Sequence, residues 1–133
     1  MKKILIVDDE VGFTRLLQMN LEKTGKYSVR VVNDSTKALE AARTFHPDLA
    51  LLDIVMPGMD GGDIVALMKE DPALAKIPVI MLTALVGKYE TSDDAVVQSG
   101  HLLMLGKPVR LSVLTQAIEE LLAAAHPPER LNG

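Results

Sequence analysis

The chain has 133 residues, of which 48% are hydrophobic and 24% charged, which suits one domain with a packed core and argues against intrinsic disorder. A net charge of −4 without a long Lys/Arg run argues against direct nucleic-acid binding, and the absence of cysteine excludes disulfides and thiolate chemistry. No apolar run reaches the ~18 residues of a membrane helix, so a cytoplasmic protein without a membrane segment is expected.

Five short apolar runs have the length and the Val, Ile and Leu content of buried strands, and in chain order they are residues 4–7, 29–32, 49–52, 79–82 and 102–105. Segments with helical spacing of apolar residues alternate with them, at residues 13–21, 38–45, 64–68, near 93–99 and 111–121. Near-continuous apolar strands are typical of a parallel sheet covered on both faces. With right-handed crossovers, the alternation predicts a three-layer α/β sandwich.

Polar residues follow these strands at the edge where ligands bind in open parallel sheets. In chain order they are Asp8, Asp9 and Glu10 after the first run, Asp53 after the third, Thr83 after the fourth, and Lys107 with Pro108 after the fifth. Taken singly, such carboxylates usually solvate a loop or cap a helix, and a lone Thr or Lys has no special meaning. Their convergence on one edge favours a functional site.

The charges at this edge point to a metal ion. Three carboxylates, Asp8, Asp9 and Asp53, face one ammonium group, Lys107, and like charge at this density needs a cation to offset it. Oxygen ligands without His or Cys favour Mg²⁺. Mg²⁺ beside a carboxylate, with a lysine and a hydroxyl for phosphoryl oxygens, suits phosphoryl transfer to an aspartate. The central carboxylate, Asp53, is the predicted nucleophile.

These residues lie in motifs of a known family. The chain resembles a response-regulator receiver domain of two-component signalling over about residues 2–123, through segments 4–10, 51–61, 79–84 and 106–108. The resemblance implies a flavodoxin-like fold, with a five-stranded parallel sheet in the order 2-1-3-4-5 and five helices. Residues 124–133 would then form a tail or linker, because Pro127 and Pro128 cannot continue a helix.

The resemblance also implies a role for each site residue. Asp53 would take a phosphoryl group from a phosphohistidine on a sensor histidine kinase or a histidine phosphotransfer protein. Asp9, the Asp53 carboxylate and the Val55 backbone carbonyl would hold Mg²⁺, and Asp8 would act largely through water.

Two further residues would contact the phosphoryl group. Lys107 would pair with one of its oxygens, and Thr83 would hydrogen-bond another. The Lys107–Pro108 peptide bond would be cis. Phosphorylation would change the surface offered to a downstream target or an output domain, and the chain would catalyse nothing beyond its own phosphorylation and dephosphorylation.

Two departures from the family pattern are visible. Met104 replaces the Tyr or Phe that usually rotates with the threonine, and the stretch from Thr83 to Lys107 is about two residues longer than usual, with the insertion placed at residues 87–89. They motivate an alternative, a receiver-like interaction module that works without phosphorylation. A haloacid-dehalogenase-like phosphohydrolase is disfavoured by Val55, where that family has a second aspartate. An FMN-binding flavodoxin is disfavoured because the acidic residues after the first strand would repel phosphate.

Overall fold

The computed structural model describes residues 1–83, 97–99 and 102–125. Within these ranges the elements, in chain order, are β1 (Lys2–Val7), α1 (Val11–Lys23), β2 (Tyr27–Val32), α2 (Ala38–Phe45), β3 (Leu49–Asp53), α3 (Gly61–Glu70), β4 (Val79–Thr83), β5 (Val97–Ser99), β6 (Leu102–Gly106) and α4 (Leu111–Ala125). A single 3₁₀ turn, Ser35–Lys37, leads into α2. The five predicted apolar runs correspond to β1, β2, β3, β4 and β6.

The strands form one sheet in the order β2-β1-β3-β4-β6-β5. All pairings among β1, β2, β3, β4 and β6 are parallel. The predicted parallel sheet, with its order 2-1-3-4-5, is therefore confirmed, with β6 as the fifth parallel strand. This order places β1 and β3 side by side at the centre, and their carboxyl ends meet at the same edge.

The strand β5 differs from the prediction. It pairs antiparallel with β6, with Val97 opposite Met104 and Ser99 opposite Leu102. Two residues separate Ser99 from Leu102, and so short a connection joins antiparallel strands, whereas parallel strands need a crossover of a dozen or more residues. The predicted helix near residues 93–99 is thus wrong over its last three positions. Its first part and the insertion at 87–89 lie outside the described residues.

The apolar strands are buried on both faces. In β1, Ile4 and Ile6 belong to a core shared with α1 and α4, whereas Leu5 and Val7 belong to a second core shared with α2 and α3. Alternate side chains of a strand point to opposite faces, so a strand between two helix layers must be apolar at every position. The predicted three-layer sandwich is confirmed.

The apolar stripes of three helices extend beyond the faces that the fold buries. Leu16 of α1 is 58% exposed, and Leu67 and Leu111 are also exposed, although each was assigned to an apolar stripe. The helix α4 continues through Ala125, so the first two residues of the predicted tail are helical, and the rest lie outside the described ranges. Within those ranges, no helix has the length and apolar content needed to cross a bilayer.

Candidate functional site

Four polar side chains are positioned by the ends of parallel strands. Asp8 directly follows β1, Asp53 and Thr83 are the last residues of β3 and β4, and Lys107 directly follows β6. The register pairs Val7 with Leu52, Asp53 with Leu82 and Thr83 with Gly106, so the strands end nearly level. The fold therefore gathers residues nearly a hundred positions apart at one edge.

The Lys107 ammonium connects the carboxylates of the site. Its Nζ lies 2.7 Å from Asp8 Oδ2, 2.9 Å from Glu10 Oε1 and 3.6 Å from Asp53 Oδ2. The first two contacts are hydrogen bonds donated by the ammonium. Since the Lys107 side chain is only 13% exposed, its charge is offset mainly by these carboxylates rather than by water.

Three carboxylates of this site are close enough to share a cation. Oxygen atoms of Asp8, Glu10 and Asp53 lie within 4.8 Å of one another, and Asp8 and Asp53 are buried. The backbone N–H of Glu10 donates to Asp8 Oδ1 at 2.9 Å, which fixes one Asp8 oxygen while the other faces Lys107. The all-oxygen donor set fits a hard divalent cation.

The surroundings shift the pKa of both key groups. Burial lowers the pKa of Lys107, but hydrogen bonds to Asp8 and Glu10 and the nearby negative charges outweigh it and raise the pKa to about 12. Burial, together with the like charge of Asp8, raises the pKa of Asp53, and the Lys107 charge and the Val55 amide oppose that rise. Lys107 thus stays cationic at neutral pH, whereas ionisation of Asp53 is less favourable than that of a free aspartate.

The loop after Asp53 is built around two glycines. A side chain at Gly61 would place its Cβ 2.6 Å from the Asp53 carbonyl oxygen, so only glycine lets the start of α3 approach β3 this closely. Gly58 has a positive φ of 86°, which favours glycine. Asp60 and Asp63 form a capping box that begins α3. Gly58 and Gly61 therefore fix the path of the chain between Asp53 and α3.

A buried serine also holds this loop. The Ser35 hydroxyl donates to the Pro57 carbonyl at 2.8 Å and accepts from the Met59 N–H at 3.0 Å. Ser35 is 3% exposed and follows β2, so it links the far edge of the sheet to the loop after Asp53. Ser35 is not among the predicted site residues, because an isolated serine in a turn carries no signal of a distant partner.

The structure brings together most of the predicted site residues. Asp8, Asp53 and Lys107 are in mutual contact, and the Lys107 N–H donates to the Thr83 carbonyl at 2.9 Å, while Thr83 is 2% exposed. The Lys107–Pro108 bond is cis, as the resemblance implied. The predicted contact of the Thr83 hydroxyl with a phosphoryl oxygen stays a prediction.

Two predicted metal ligands are not part of the carboxylate group formed by Asp8, Glu10 and Asp53. Asp9 is exposed, and it acts on Asp53 as a weaker like charge that raises its pKa. Val55 is 65% exposed, and its carbonyl stays a predicted ligand. Glu10, which the sequence analysis counted among the strand-end acids but did not choose, joins Asp8 and Asp53. No periodic pattern indicates Glu10, because the chain bends at Asp9 between β1 and α1.

The class of protein follows from the fold, the site and the similarity to known proteins. The parallel sheet and the acidic site at its edge are those of a receiver domain of two-component signalling, as the sequence motifs indicated. Residues 4–119 match the response regulator receiver domain, and the chain belongs to that family.

Similar proteins include two regulators. The chain is 42% identical over 83 residues to the alkaline phosphatase synthesis transcriptional regulatory protein PhoP of Bacillus subtilis, covering 62% of this chain and 33% of PhoP. It is 38% identical over 107 residues to the response regulator PleD of Caulobacter vibrioides, covering 80% of this chain and 23% of PleD. The chain thus spans a third of PhoP or less than a quarter of PleD.

A solved structure with the same fold is the signal receiver domain of a signal transduction histidine kinase from Syntrophus aciditrophicus. It is 30% identical in sequence, with a TM-score of 0.77 over 98% of this chain and 97% of that one. The likeness extends over the whole length of both chains, so the sheet order and the strand-edge position of the site belong to the family fold.

Proposed function

We propose that Asp53 accepts a phosphoryl group from a phosphohistidine on a sensor histidine kinase or a histidine phosphotransfer protein. The observation that carries the proposal is the position of Lys107, whose ammonium lies 2.7 Å from Asp8 and 3.6 Å from Asp53. A buried cation beside the central carboxylate offers a partner for a phosphoryl oxygen on that carboxylate.

The transfer requires one bond exchange. An Asp53 carboxylate oxygen attacks phosphorus, the new O–P bond forms as the P–N bond breaks, and the electron pair of that bond stays on the imidazole nitrogen. Lys107 stabilises negative charge on one phosphoryl oxygen, and the Thr83 hydroxyl donates to another. The chain acts on itself and turns over no independent substrate.

The acidic residues of the site would hold Mg²⁺. Asp9, Asp53 and the Val55 carbonyl are the proposed direct ligands, and Asp8 would act through water. A Glu10 carboxylate oxygen lies within 4.8 Å of oxygens of Asp8 and Asp53, which places another carboxylate within reach. When bound, Mg²⁺ would supply positive charge to the phosphoryl oxygens. The raised pKa of Asp53 supports this assignment, because a cation beside the carboxylate would favour its ionised form and oppose that rise.

The downstream step is a change of partner surface. A phosphoryl group that binds one conformation better shifts the population toward it, and a target protein or an output domain reads the result. The net charge of −4 favours a protein partner over direct nucleic-acid contact by this segment.

The test is phosphorylation by a small donor. Incubation with Mg²⁺ and acetyl phosphate is expected to add the mass of one phosphoryl group, measured on the intact protein. Asp53→Asn and chelation by EDTA should each abolish the gain, and Asp9→Asn should weaken it more than Asp63→Asn, a control on the exposed cap of α3. A mass gain that survives in Asp53→Asn would overturn the assignment.

Met104 supports a second candidate, a receiver-like module that binds its partner without phosphorylation. This residue is half-buried against the core of α2 and α3 and has no phenolic hydroxyl to exchange hydrogen bonds in a switch. Equal affinity for an identified partner before and after phosphorylation would favour this candidate. A difference of tenfold or more would favour the phosphorylation switch.

A further inference from the structure

An aromatic ring lies against the Lys107 ammonium. The Nζ atom is 4.6 Å from the centroid of the Phe13 ring, within the distance at which a cation is attracted to the face of an aromatic ring. Phe13 is half-buried in the first turn of α1 and packs against the core of α1 and α4. It therefore has a fixed position from which to hold a flexible side chain.

The ring completes the enclosure of the ammonium. Asp8 and Glu10 accept its hydrogen bonds, and Asp53 lies slightly beyond hydrogen-bond distance at 3.6 Å. A lysine side chain has four rotatable bonds, and Glu10 is 62% exposed, so hydrogen bonds alone would allow the ammonium to follow Glu10 toward solvent. The ring face excludes water from another side of the cation.

We propose that Phe13 is a positioning residue that holds Lys107 in line with Asp53. The proposal rests on the proposed phosphoacceptor function for its consequence, which is a faster phosphorylation step. Phe13 acts through Lys107 and touches no reacting atom itself. An aromatic face is required at this position, whereas an aliphatic side chain of similar volume would preserve the packing of α1 and lose the attraction.

The rate of phosphorylation by acetyl phosphate tests the consequence. Phe13→Leu is expected to lower the limiting rate at saturating donor by about three- to tenfold, between the sizes of an exposed and a fully desolvated cation–π contact, with the half-saturating concentration unchanged. Phe13→Tyr should restore the rate to within about twofold, since it keeps the ring face. Leu16→Ala, a neighbouring exposed residue of α1, is the matched control and should leave the rate unchanged.

A double-mutant cycle separates positioning from general structural damage. In a Lys107→Gln background, Phe13→Leu should have no further effect on the rate, because the group through which it acts is gone. An equal effect of Phe13→Leu in both backgrounds, or failure of Phe13→Tyr to restore the rate, would overturn the proposal.

A measurement independent of phosphorylation keeps the two proposals distinguishable. In wild-type protein the Lys107 ε-methylene protons should show an upfield ring-current shift by NMR, lost in Phe13→Leu and retained in Leu16→Ala. If this shift is absent, the positioning role fails whatever the rates are. If it is present but acetyl phosphate adds no phosphoryl group to the wild-type chain, the phosphoacceptor function fails and the contact stands.

Discussion

Two lysines of this chain make ion pairs of similar length in opposite surroundings. Lys107 Nζ lies 2.7 Å from Asp8, with the two side chains 13% and 1% exposed. Lys26 Nζ lies 3.1 Å from Glu119, with the side chains 64% and 54% exposed. The difference of 0.4 Å matters less than the difference in solvent, because the effective dielectric sets both the attraction and the cost of an unpaired charge.

The two pairs differ in the state of the charge that remains when the lysine is removed. Water replaces the partner of an exposed charge, so removing Lys26 leaves Glu119 well solvated. Nothing equivalent is available to Asp8, which is 1% exposed and has like-charged neighbours. The Lys107 pair therefore offsets the negative charge inside the site. The Lys26 pair lies in solvent and contributes little to stability.

The largest effect is expected for Lys107→Met. This change leaves the Asp8 and Asp53 carboxylates without their shared cation, and the free energy of unfolding should fall by roughly 3 kcal/mol, as for other broken buried pairs. Urea unfolding at pH 7 in EDTA measures it. An unchanged urea midpoint would show that water reaches the site freely, and the contrast with Lys26 would be lost.

Asp53→Asn should act in the opposite direction. Because the fold raises the pKa of Asp53, its ionised form disfavours the folded state above that pKa, and the penalty disappears as pH falls and the carboxyl is protonated. Removing the charge should stabilise the protein by roughly 1 kcal/mol at pH 7 in EDTA. Urea unfolding across a pH series checks the sign, and a gain that persists undiminished at acidic pH would contradict the charge argument.

Glu10→Gln should have a smaller effect. Glu10 shares the Lys107 ammonium with Asp8 but is 62% exposed. The solvent exposure of its ion pair therefore lies between that of Lys107–Asp8 and that of Lys26–Glu119. A loss of about 0.5 kcal/mol is expected from urea unfolding, since the amide oxygen still accepts a hydrogen bond from Lys107. A loss as large as that of Lys107→Met would mean that Glu10 is essential to the cluster.

The smallest effect is expected for Lys26→Met, the matched control for Lys107→Met. The free energy of unfolding should change by less than about 0.5 kcal/mol, and raising the salt concentration should reduce even that difference. Urea unfolding at low and high ionic strength gives both values. A loss comparable to that at Lys107 would show that solvent exposure does not separate the two pairs.

The parallel sheet was predictable because its signal is local. Four of the five apolar runs are uninterrupted, as burial on both faces requires, and the run at 29–32 contains one exposed charged residue, Arg30, in the edge strand β2. The convergence of Asp8, Asp53 and Lys107 then follows from topology alone, since every parallel strand ends at the same edge. Neither step requires knowledge of side-chain conformation.

Other features depend on contacts that the sequence does not display. The antiparallel strand β5 has three residues, too few for a periodic pattern, so the segment was assigned to a helix. Whether Asp9 or Glu10 turns toward Asp8 depends on the backbone between β1 and α1. The contact of Phe13 with Lys107 joins residues far apart in the chain, and an apolar residue in a helix is ordinarily read as core.

Ser35 orders the loop after Asp53 before any ligand binds. Its hydroxyl gives one hydrogen bond to Pro57 and receives one from Met59, so the segment that follows Asp53 has its final shape in the free protein. The entropy cost of ordering that segment is met during folding rather than at the moment of binding. An incoming ion or phosphoryl group therefore meets a segment that is already in place, and none of its interaction energy is spent on ordering that segment.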